Sequence, residues 1–245
     1  MKVALVTGAS RGLGAAMAAS LARAGWAVAI NYSKDAQGAD RVAGDIASNN
    51  GRADIFRFDI RESSQITDAF QDIRTKLGPV DLIVNNATGP QGAAVIADQD
   101  WATYLMHLEY FVRAPLLLLQ VALPDWRARR SGRVINIGSE VTQVGNAYDA
   151  HYVAAKSAML GLTRSWASEL GPEGINVNMV SPGWTPVERH ASTPPEEIDR
   201  HMSRVPLGRM GRPEDVSAMV TFLASDAASY ITGQNIVVNG GHTFS

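Results

Sequence analysis

The chain of 245 residues is 46% hydrophobic and 19% charged and carries a formal net charge of -2, a composition typical of a folded globular protein. This charge supplies no broad positive field for nucleic acid or an anionic membrane, so small molecules or copies of the chain itself are the expected partners. Because the sequence has no cysteine, disulfides, thiolate metal sites and cysteine nucleophiles are excluded.

Seven short segments rich in apolar and β-branched residues are predicted strands. In chain order they cover residues 3–7, 26–32, 54–60, 80–86, 133–139, 175–182 and 234–241. Helical patterns separate most of them, beginning with residues 13–24, and several strands are apolar throughout, as in parallel sheets covered on both faces. We expect a single α/β domain over residues 1–245, a Rossmann-type doubly wound sheet of about seven parallel strands with helices on both faces.

Neither a signal peptide nor a membrane helix is expected. The apolar run in MKVALVTGAS is short and ends at once in glycine and serine. The run from Pro115 to Leu123 is well below the ~20 residues that a membrane helix needs. These features predict a cytoplasmic protein.

The first predicted strand leads into a turn with three glycines, Thr7-Gly8-Ala9-Ser10-Arg11-Gly12-Leu13-Gly14, where a helix should begin. Glycine permits positive φ and close approach of a ligand to the backbone, and a helix N-terminus presents unpaired N–H groups to a phosphate. Taken alone, the pattern is equally compatible with a tight turn that binds nothing.

A long segment rich in proline and polar residues, 181–213, interrupts the alternation after the sixth predicted strand. Ligands of open α/β sheets bind beyond the carboxyl ends of the strands. Residues 183–212 are therefore predicted to form a substrate lid, with a surface insertion as the alternative.

Tyr152 and Lys156 are four residues apart at the start of a predicted helix, which places their side chains one above the other. A phenol with an ordinary pKa near ~10 is a poor acid or base at neutral pH, but a nearby ammonium stabilises the phenolate. The pair can therefore support proton exchange. An amphipathic surface pair is the alternative.

Several motifs occur together in order: TGxxxGxG at 7–14, Asn-Asn-Ala at 85–87, Ser139 thirteen residues before Tyr152, and Ser-Pro-Gly at 181–183. With Tyr-x-x-x-Lys and the late VNGG, they extend over essentially the whole chain, which resembles the short-chain dehydrogenase/reductase family.

The resemblance implies hydride transfer between a nicotinamide and a carbonyl compound or secondary alcohol. Tyr152 would exchange the proton, Lys156 would hold the nicotinamide ribose, and Ser139, which alone could be a loop cap, would bind the reacting oxygen. The implied cofactor contacts are Gly8, Ser10, Arg11, Gly12, Leu13, Gly14, Ser33, Lys34, Asp59, Ile60, Asn86, Ala87, Tyr152, Lys156, Pro182, Gly183 and Thr185.

Charge near the end of the second strand bears on the choice of cofactor. An acidic side chain there would repel a 2′-phosphate, but residues 31–34, Asn-Tyr-Ser-Lys, include none. By resemblance, Arg11, Ser33 and Lys34 would hold that phosphate and Asp59-Ile60 would flank the adenine, which favours NADP(H) over NAD(H). Plain surface charge is the alternative for Arg11 and Lys34.

Phe111 departs from the family pattern. It stands where an asparagine completes the family's catalytic tetrad and supports a proton-carrying water chain, and no asparagine occurs in residues 91–133. His107, one turn earlier, is a possible substitute or an ordinary packing residue.

Two further positions differ near the expected cofactor. Thr88 replaces a glycine and would be strained if the position requires positive φ. Val187 stands where the family often has a threonine, so Thr185 becomes the candidate for that contact.

The substrate pocket should be lined by residues 89–95, 140–148 and 184–190, whose polar and aromatic side chains suit a modest polar or cyclic substrate. The pattern resembles 3-oxoacyl-carrier-protein reductases and glucose-dehydrogenase-like members about equally. A carrier-protein reductase would use a basic patch near the pocket, which Arg127, Arg129 and Arg130 in DWRARRSGR could supply unless they only complement a helix end.

Two functions follow from these features. One is an NADP(H)-dependent carbonyl reductase or alcohol dehydrogenase acting on a small molecule. The other, favoured by Phe111 and Thr88, is an NADP-binding sensor or oligomeric partner with weak or no turnover. The resemblance also implies a homotetramer or homodimer in which helices at about 98–130 and 150–170 pack across a two-fold axis. No metal pattern occurs among the five histidines and the carboxylates, so no catalytic metal is expected.

Overall fold

Seven parallel strands and the helices between them make up most of the computed structural model, which describes residues 1–90, 92–188, 191 and 193–244. The strands are β1 Val3–Val6, β2 Ala27–Tyr32, β3 Arg52–Arg57, β4 Val80–Asn85, β5 Gly132–Ile137, β6 Ile175–Pro182 and β7 Asn235–Val238. The helices are α1 Gly12–Arg23, α2 Ala36–Ser48, α3 Ser63–Lys76, α4 Trp101–Leu108, α5 Ala114–Arg129, α6 Val141–Val144, α7 Ala150–Leu170, α8 Pro195–Met202 and α9 Pro213–Ala224.

The strands form one sheet in the order β3-β2-β1-β4-β5-β6-β7, with every neighbouring pair parallel. The winding direction reverses between β1 and β4, which opens a crevice at the carboxyl edge of the sheet. The predicted doubly wound α/β fold is confirmed.

Alternating residues of the fully buried strand β1 explain why helices cover both faces. Val3 and Leu5 belong to the apolar layer formed with α3, α5 and α7. Ala4 and Val6 belong to the opposite layer, formed with α1, α2 and α9. A side-chain period of two therefore divides the core into two halves.

The third strand ends three residues earlier than the sequence predicted, at Arg57. Phe58 and Ile60 lie beyond the strand but are buried in the core, so the apolar pattern extends past the ladder. The last strand is also shorter than predicted, because Gly240 and Gly241 turn the chain away with φ of 65° and 86°.

One helical stretch, Trp101–Arg129, is long and apolar enough to cross a membrane by length and composition, which the sequence analysis did not expect. Its mean hydropathy is 1.2, and 39% of the most apolar window is buried. It joins α4 and α5 through a π-helical turn, Glu109–Arg113, and packs Leu118 and Trp126 into the core. A core helix of a soluble protein passes the same test, so the stretch is weak evidence for a membrane span.

The segment predicted to be a lid folds back over the C-terminal residues. The N–H of Leu207 donates to the carbonyl of Gly240 at 3.1 Å, and the N–H of Gly211 donates to that of Trp184 at 3.2 Å. Along the chain, helix α8 lies between Trp184 and Leu207, which belong to these two hydrogen bonds. A role in covering substrate remains a prediction.

Candidate active site

The turn after β1 needs glycine at two positions for separate reasons. Gly8 has φ of 63°, and a Cβ there would lie 2.9 Å from the Cα of Ala87. A Cβ on Gly14 would lie 2.4 Å from the carbonyl oxygen of Gly8. Arg11 is the N-cap of α1 and has extended backbone, so the first amides of α1 face the crevice without a side-chain cap. Such a cradle fits the phosphates of a dinucleotide.

Polar side chains from three strands brace this turn. Asn31, at the end of β2, accepts from the N–H of Gly8 at 3.1 Å and donates to the carbonyl of Phe58 at 3.0 Å. The hydroxyl of Thr7 accepts from the N–H groups of Asn86 and Ala87 at 2.9 and 3.0 Å. The amide of Asn86 donates in return to the carbonyl of Thr7 at 2.8 Å. Sequence reasoning missed Asn31, although a buried amide at a strand end is a usable signal.

A carboxylate occupies the position at the start of α1 where an anion would bind. The N–H of Gly12 donates to an oxygen of Glu188 at 3.4 Å, and Val187 lies beside Gly12. The oxygen stands in for a phosphate oxygen. Thr185 is buried and donates to the carbonyl of Gly183 at 3.2 Å. Val187 and Glu188, rather than Thr185, therefore lie nearest the glycine turn in this structure.

The predicted 2′-phosphate site contains exposed cations and one carboxylate that the sequence analysis overlooked. Arg11, Ser33 and Lys34 are all exposed. Asp35 follows them and caps α2 by accepting from the N–H of Gly38 at 2.9 Å. This hydrogen bond lowers the pKa of Asp35, as do a hydrogen bond from Ser10 and the charge of Arg11. The negative charge of Asp35 therefore partly compensates the positive charge of Arg11.

Asp59 and Ile60 follow β3, near the place expected for adenine. Arg61 binds the carboxylate of Asp59 through two hydrogen bonds of 3.0 and 2.6 Å and thereby lowers its pKa. The charge of Lys34 adds to this effect. Ile60 is buried in the core. The carboxylate is therefore engaged by Arg61 in this structure.

Lys156 lies buried beneath the end of β5. Its ammonium donates to the carbonyl of Ile137 at 2.6 Å and is 5.6 Å from the ring centroid of Tyr152. Ser139 follows two residues after Ile137, and its hydroxyl accepts from the N–H of Val141 at 3.3 Å. Gly138 permits this bend, because a Cβ there would lie 2.1 Å from the methyl carbon of Met179. The structure thus brings Lys156 close to Tyr152 and to the segment that carries Ser139.

Phe111 packs directly on the catalytic candidates. Its ring centroid lies 3.8 Å from the ammonium of Lys156 and 5.6 Å from the ring of Tyr152. Phe111 is 1% exposed. The residue that replaces the family asparagine therefore makes a desolvated cation–π contact with Lys156.

His107 continues this stack of rings. It lies 5.8 Å from Phe111 and 4.6 Å from His151, nearly parallel to both. Neither ring nitrogen of His107 has a hydrogen-bond partner among the described residues. Burial, and then the charges of His151 and Lys156, lower the pKa of His107 to about 4. His107 is thus a neutral, packed histidine.

A chain of buried amides fixes α7 to the sheet. Asn85 donates to Asn136 at 2.8 Å, and Asn136 donates to the hydroxyl of Thr163 on α7 at 2.9 Å. Asn85 and Asn136 are partners in the β4–β5 ladder. These contacts set the height of α7, and with it Tyr152 and Lys156, relative to the strand ends.

Thr88 is not strained. It is absent from the described non-glycine residues with positive φ, so the condition under which threonine would be strained there is not met. Its side chain is exposed.

The arginines of DWRARRSGR lie at the wrong edge of the sheet to serve the pocket. Arg127 and Arg129 end α5 and Arg130 follows, just before β5 begins, whereas the site follows the carboxyl ends of the strands. Arg127 pairs with Glu173 at 2.7 Å, and Arg129 pairs with Asp81 and with Asp125. The helix-end interpretation is therefore favoured. Of the expected pocket lining, Gln91, Arg189 and His190 lie outside the described residues.

The doubly wound sheet and the loops at its switch point define a Rossmann-type nucleotide-binding domain. Comparison with known proteins is more specific. The family model described as enoyl-(acyl carrier protein) reductase matches residues 8–243.

Relatives match over nearly their whole length. The chain is 36% identical to the 3-oxoacyl-[acyl-carrier-protein] reductase FabG of Staphylococcus aureus over 98% of this chain and 97% of that protein. It is 37% identical to the protein of the same name from Pseudomonas aeruginosa over 98% and 96%. A crystal structure described as a candidate gluconate dehydrogenase from Agrobacterium tumefaciens is similar with a TM-score of 0.93 and 31% identity, over 98% of this chain and 95% of that one. The chain belongs to the short-chain dehydrogenase/reductase family and is an oxidoreductase acting on carbonyl and CH–OH groups.

Proposed function

We propose that this oxidoreductase uses NADP(H) and that Ser139, Tyr152 and Lys156 carry out its chemistry on a carbonyl compound or a secondary alcohol. The observation that carries the proposal is the buried ammonium of Lys156, 5.6 Å from the Tyr152 ring and bonded to the carbonyl of Ile137 at 2.6 Å. A buried cation beside a phenol stabilises the phenolate. This is what proton exchange by tyrosine near neutral pH requires.

Each residue has a separate task in the proposed mechanism. The bound nicotinamide supplies or accepts the hydride. Tyr152 protonates the substrate oxygen during reduction and removes that proton during oxidation. The Ser139 hydroxyl orients the same oxygen and stabilises its developing charge. Lys156 stays protonated against the Ile137 carbonyl and stabilises the phenolate, while also being the candidate to hold the nicotinamide ribose.

Substitution of Tyr152 tests the chemistry. Tyr152→Phe removes only the hydroxyl and should lower the rate of carbonyl reduction about 10²–10⁴-fold, the contribution of a positioned acid or base. The dissociation constant for NADPH should change little, which shows that the site is intact. Unchanged reduction by Tyr152→Phe would rule out the proposed mechanism.

The cofactor proposal is supported by exposed Arg11, Ser33 and Lys34 near the strand ends, and is opposed by the carboxylate of Asp35. NADPH and NADH should be titrated by cofactor fluorescence into the wild type and Arg11→Ala. Loss of a charge-assisted phosphate contact should weaken NADPH binding by about 1.5–3 kcal/mol and leave NADH binding nearly unchanged. Arg23→Ala, at the exposed far end of α1, is the matched control. A wild-type preference for NADH would show that Asp35 outweighs Arg11.

The substrate is proposed to be a 3-oxoacyl thioester or a small cyclic or polyol compound. The relatives named 3-oxoacyl-[acyl-carrier-protein] reductase support the first class, and the structure described as a gluconate dehydrogenase supports the second. Activity with an acetoacetyl thioester and NADPH, compared with gluconate and NADP, separates them.

A sensor with weak turnover is the second candidate, because Phe111 replaces the asparagine that supports proton transfer in the family. It predicts tight NADPH binding with at most very slow reduction of any carbonyl in a broad screen. Reduction at an ordinary enzymatic rate, about 1 s⁻¹ or faster, that Tyr152→Phe abolishes would exclude it.

We also propose a cytoplasmic homotetramer or homodimer built on α4, α5 and α7. Trp101, Leu105 and Leu116 are apolar but 65%, 47% and 38% exposed along the first two of these helices. Exposed apolar residues clustered on helices favour a protein interface. Sedimentation velocity of the wild type and Leu105→Glu tests this, since the charge should dissociate the assembly.

A further inference from the structure

Three side chains with metal-binding atoms meet beside the proposed catalytic serine. Glu140 follows Ser139, His201 lies on α8 in the predicted lid, and His242 lies in the segment after β7. One ligand atom from each can be chosen so that all three lie within 4.8 Å of one another. We refer to these residues as the Glu–His–His cluster. They are far apart in the sequence, which is why no metal pattern was visible there.

Backbone and side-chain contacts hold the carboxylate of Glu140 in place. The backbone N–H of Glu140 donates to the carbonyl of Pro182 at 3.0 Å. The side-chain amide of Asn239 donates to its Oε2 at 2.9 Å. Ligands of protein-bound metals are commonly oriented by such outer hydrogen bonds. Glu140 is 8% exposed, so its carboxylate is buried.

A hydrogen-bond contact accounts for only two members of the cluster. Nδ1 of His242 lies 3.1 Å from Oε2 of Glu140. The ring of His201 contacts His242 and Trp184 edge-on, with centroid distances of 4.8 and 5.1 Å. Among the described residues, no hydrogen bond engages the His201 ring. One imidazole therefore faces a buried carboxylate and a second imidazole with its nitrogens available.

This donor set has the chemistry of a zinc-type site. Two imidazoles and one carboxylate are familiar zinc ligands, at about 2.0–2.2 Å, which separates ligand atoms by about 3.4 Å in a tetrahedron. The Glu140–His242 distance already meets this spacing. The wider spread within the cluster closes with side-chain movements of roughly 1 Å. A fourth position is left for water or another ligand.

We propose that the Glu–His–His cluster binds one divalent transition-metal ion of the zinc type, which clasps α8 and the C-terminal segment to the loop after β5. The ion joins three segments, two of which are already linked by the backbone hydrogen bond from Leu207 to Gly240. Because Glu140 is adjacent to Ser139, the clasp fixes the loop that carries the serine. The inference concerns metal binding itself and does not depend on the proposed reaction.

The test uses the tag-free full chain stripped of metal with a chelator. Zn²⁺ is titrated calorimetrically, and Co²⁺ is titrated by its visible absorption, which reports the ligand geometry. We expect one ion per chain. His201→Gln and His242→Gln should each weaken binding by more than the roughly 10–100-fold that loss of an outer-shell partner costs, and Asn239→Ala by about that amount. Glu197→Gln, exposed on the same helix, should bind like the wild type.

A second readout tests the clasp. Zn²⁺ should slow proteolysis within residues 193–212 of the wild type but not of His201→Gln. The melting temperature of each metal-free variant shows whether that variant is folded. If a histidine variant is unfolded, the isosteric Glu140→Gln replaces it in the binding test. Absence of stoichiometric binding, or binding that these variants leave unchanged, would overturn the site. Binding without protection would overturn the clasp.

Discussion

Replacing Phe111 should destabilise the protein mainly through loss of its contact with Lys156. The ring centroid lies 3.8 Å from the ammonium, and the two residues are 1% and 4% exposed. A desolvated cation–π contact of this kind is worth about 2 kcal/mol. Ring contacts with Tyr152 at 5.6 Å and His107 at 5.8 Å add about 0.5–1.5 kcal/mol each. Phe111→Leu, which stays apolar, should therefore lower the free energy of unfolding by about 3–5 kcal/mol.

A double-mutant cycle isolates the cation–π contribution. Urea unfolding of the wild type, Phe111→Leu, Lys156→Met and the double variant, at one protein concentration, should give a coupling energy of about 2 kcal/mol. Phe222→Leu, on the 41% exposed Phe222, controls for loss of a ring that contacts no buried cation. A Phe111–Lys156 coupling below about 0.5 kcal/mol, the range of independent sites, would refute the reasoning.

Three further predictions concern the cofactor cradle and pH. Glu188→Gln weakens the anion that competes with phosphate at the start of α1, and should tighten NADPH binding by about 0.5–1.5 kcal/mol in a fluorescence titration. Glu197→Gln should not, and equal effects of the two would argue against specific competition. Gly14→Ala should abolish NADPH binding because its Cβ would lie 2.4 Å from a carbonyl oxygen, whereas Gly44→Ala, with nothing within 4 Å, should bind normally. Burial holds the pKa of His107 at about 4, so below its unfolded value of 6.5 the unfolded state binds more protons and stability falls toward pH 4. In urea unfolding, the free energy of unfolding of His107→Phe should fall by about 3 kcal/mol less than that of the wild type between pH 7 and pH 4. An unaltered pH dependence would contradict the lowered pKa of His107.

The fold could be predicted because its strands are buried on both faces. Strand β6 spans the predicted residues 175–182, since its apolar run ends where proline and glycine begin. The ends of β3 were harder to predict, because Phe58 and Ile60 are apolar for reasons of core packing and not of strand pairing. Hydrophobic pattern reports burial, which extends beyond the hydrogen-bonded ladder.

The sequence predicted that Tyr152 and Lys156 lie together, which the structure shows, but it did not predict which acidic side chains approach the turn after β1. The catalytic and cofactor-binding roles of the named residues stay predictions. Lys156 meets the end of β5 because a parallel sheet collects its carboxyl ends at one edge. Asp35 was missed because the charge argument stopped one residue earlier, at Lys34. Glu188 approaches α1 from the lid segment, at a contact that no local pattern encodes. The cluster of Glu140, His201 and His242 depends wholly on tertiary folding.

In the family pattern the surroundings of the lysine support both its charge and the transfer of protons, whereas Phe111 can support only the charge. In the proposed mechanism, Lys156 must remain a cation close to Tyr152, and protons must travel between the site and solvent. The aromatic ring stabilises the cation at 3.8 Å, and the Ile137 carbonyl fixes its direction. An aromatic hydrocarbon neither donates nor accepts a proton, however, so it cannot continue a relay as an amide with bound water can. Beside it, His107 has a pKa of about 4 and is already neutral at pH 7. In the proposed mechanism, the electrostatic support of the Tyr152 phenolate is therefore retained through the substitution, and proton exchange is the step on which turnover should depend.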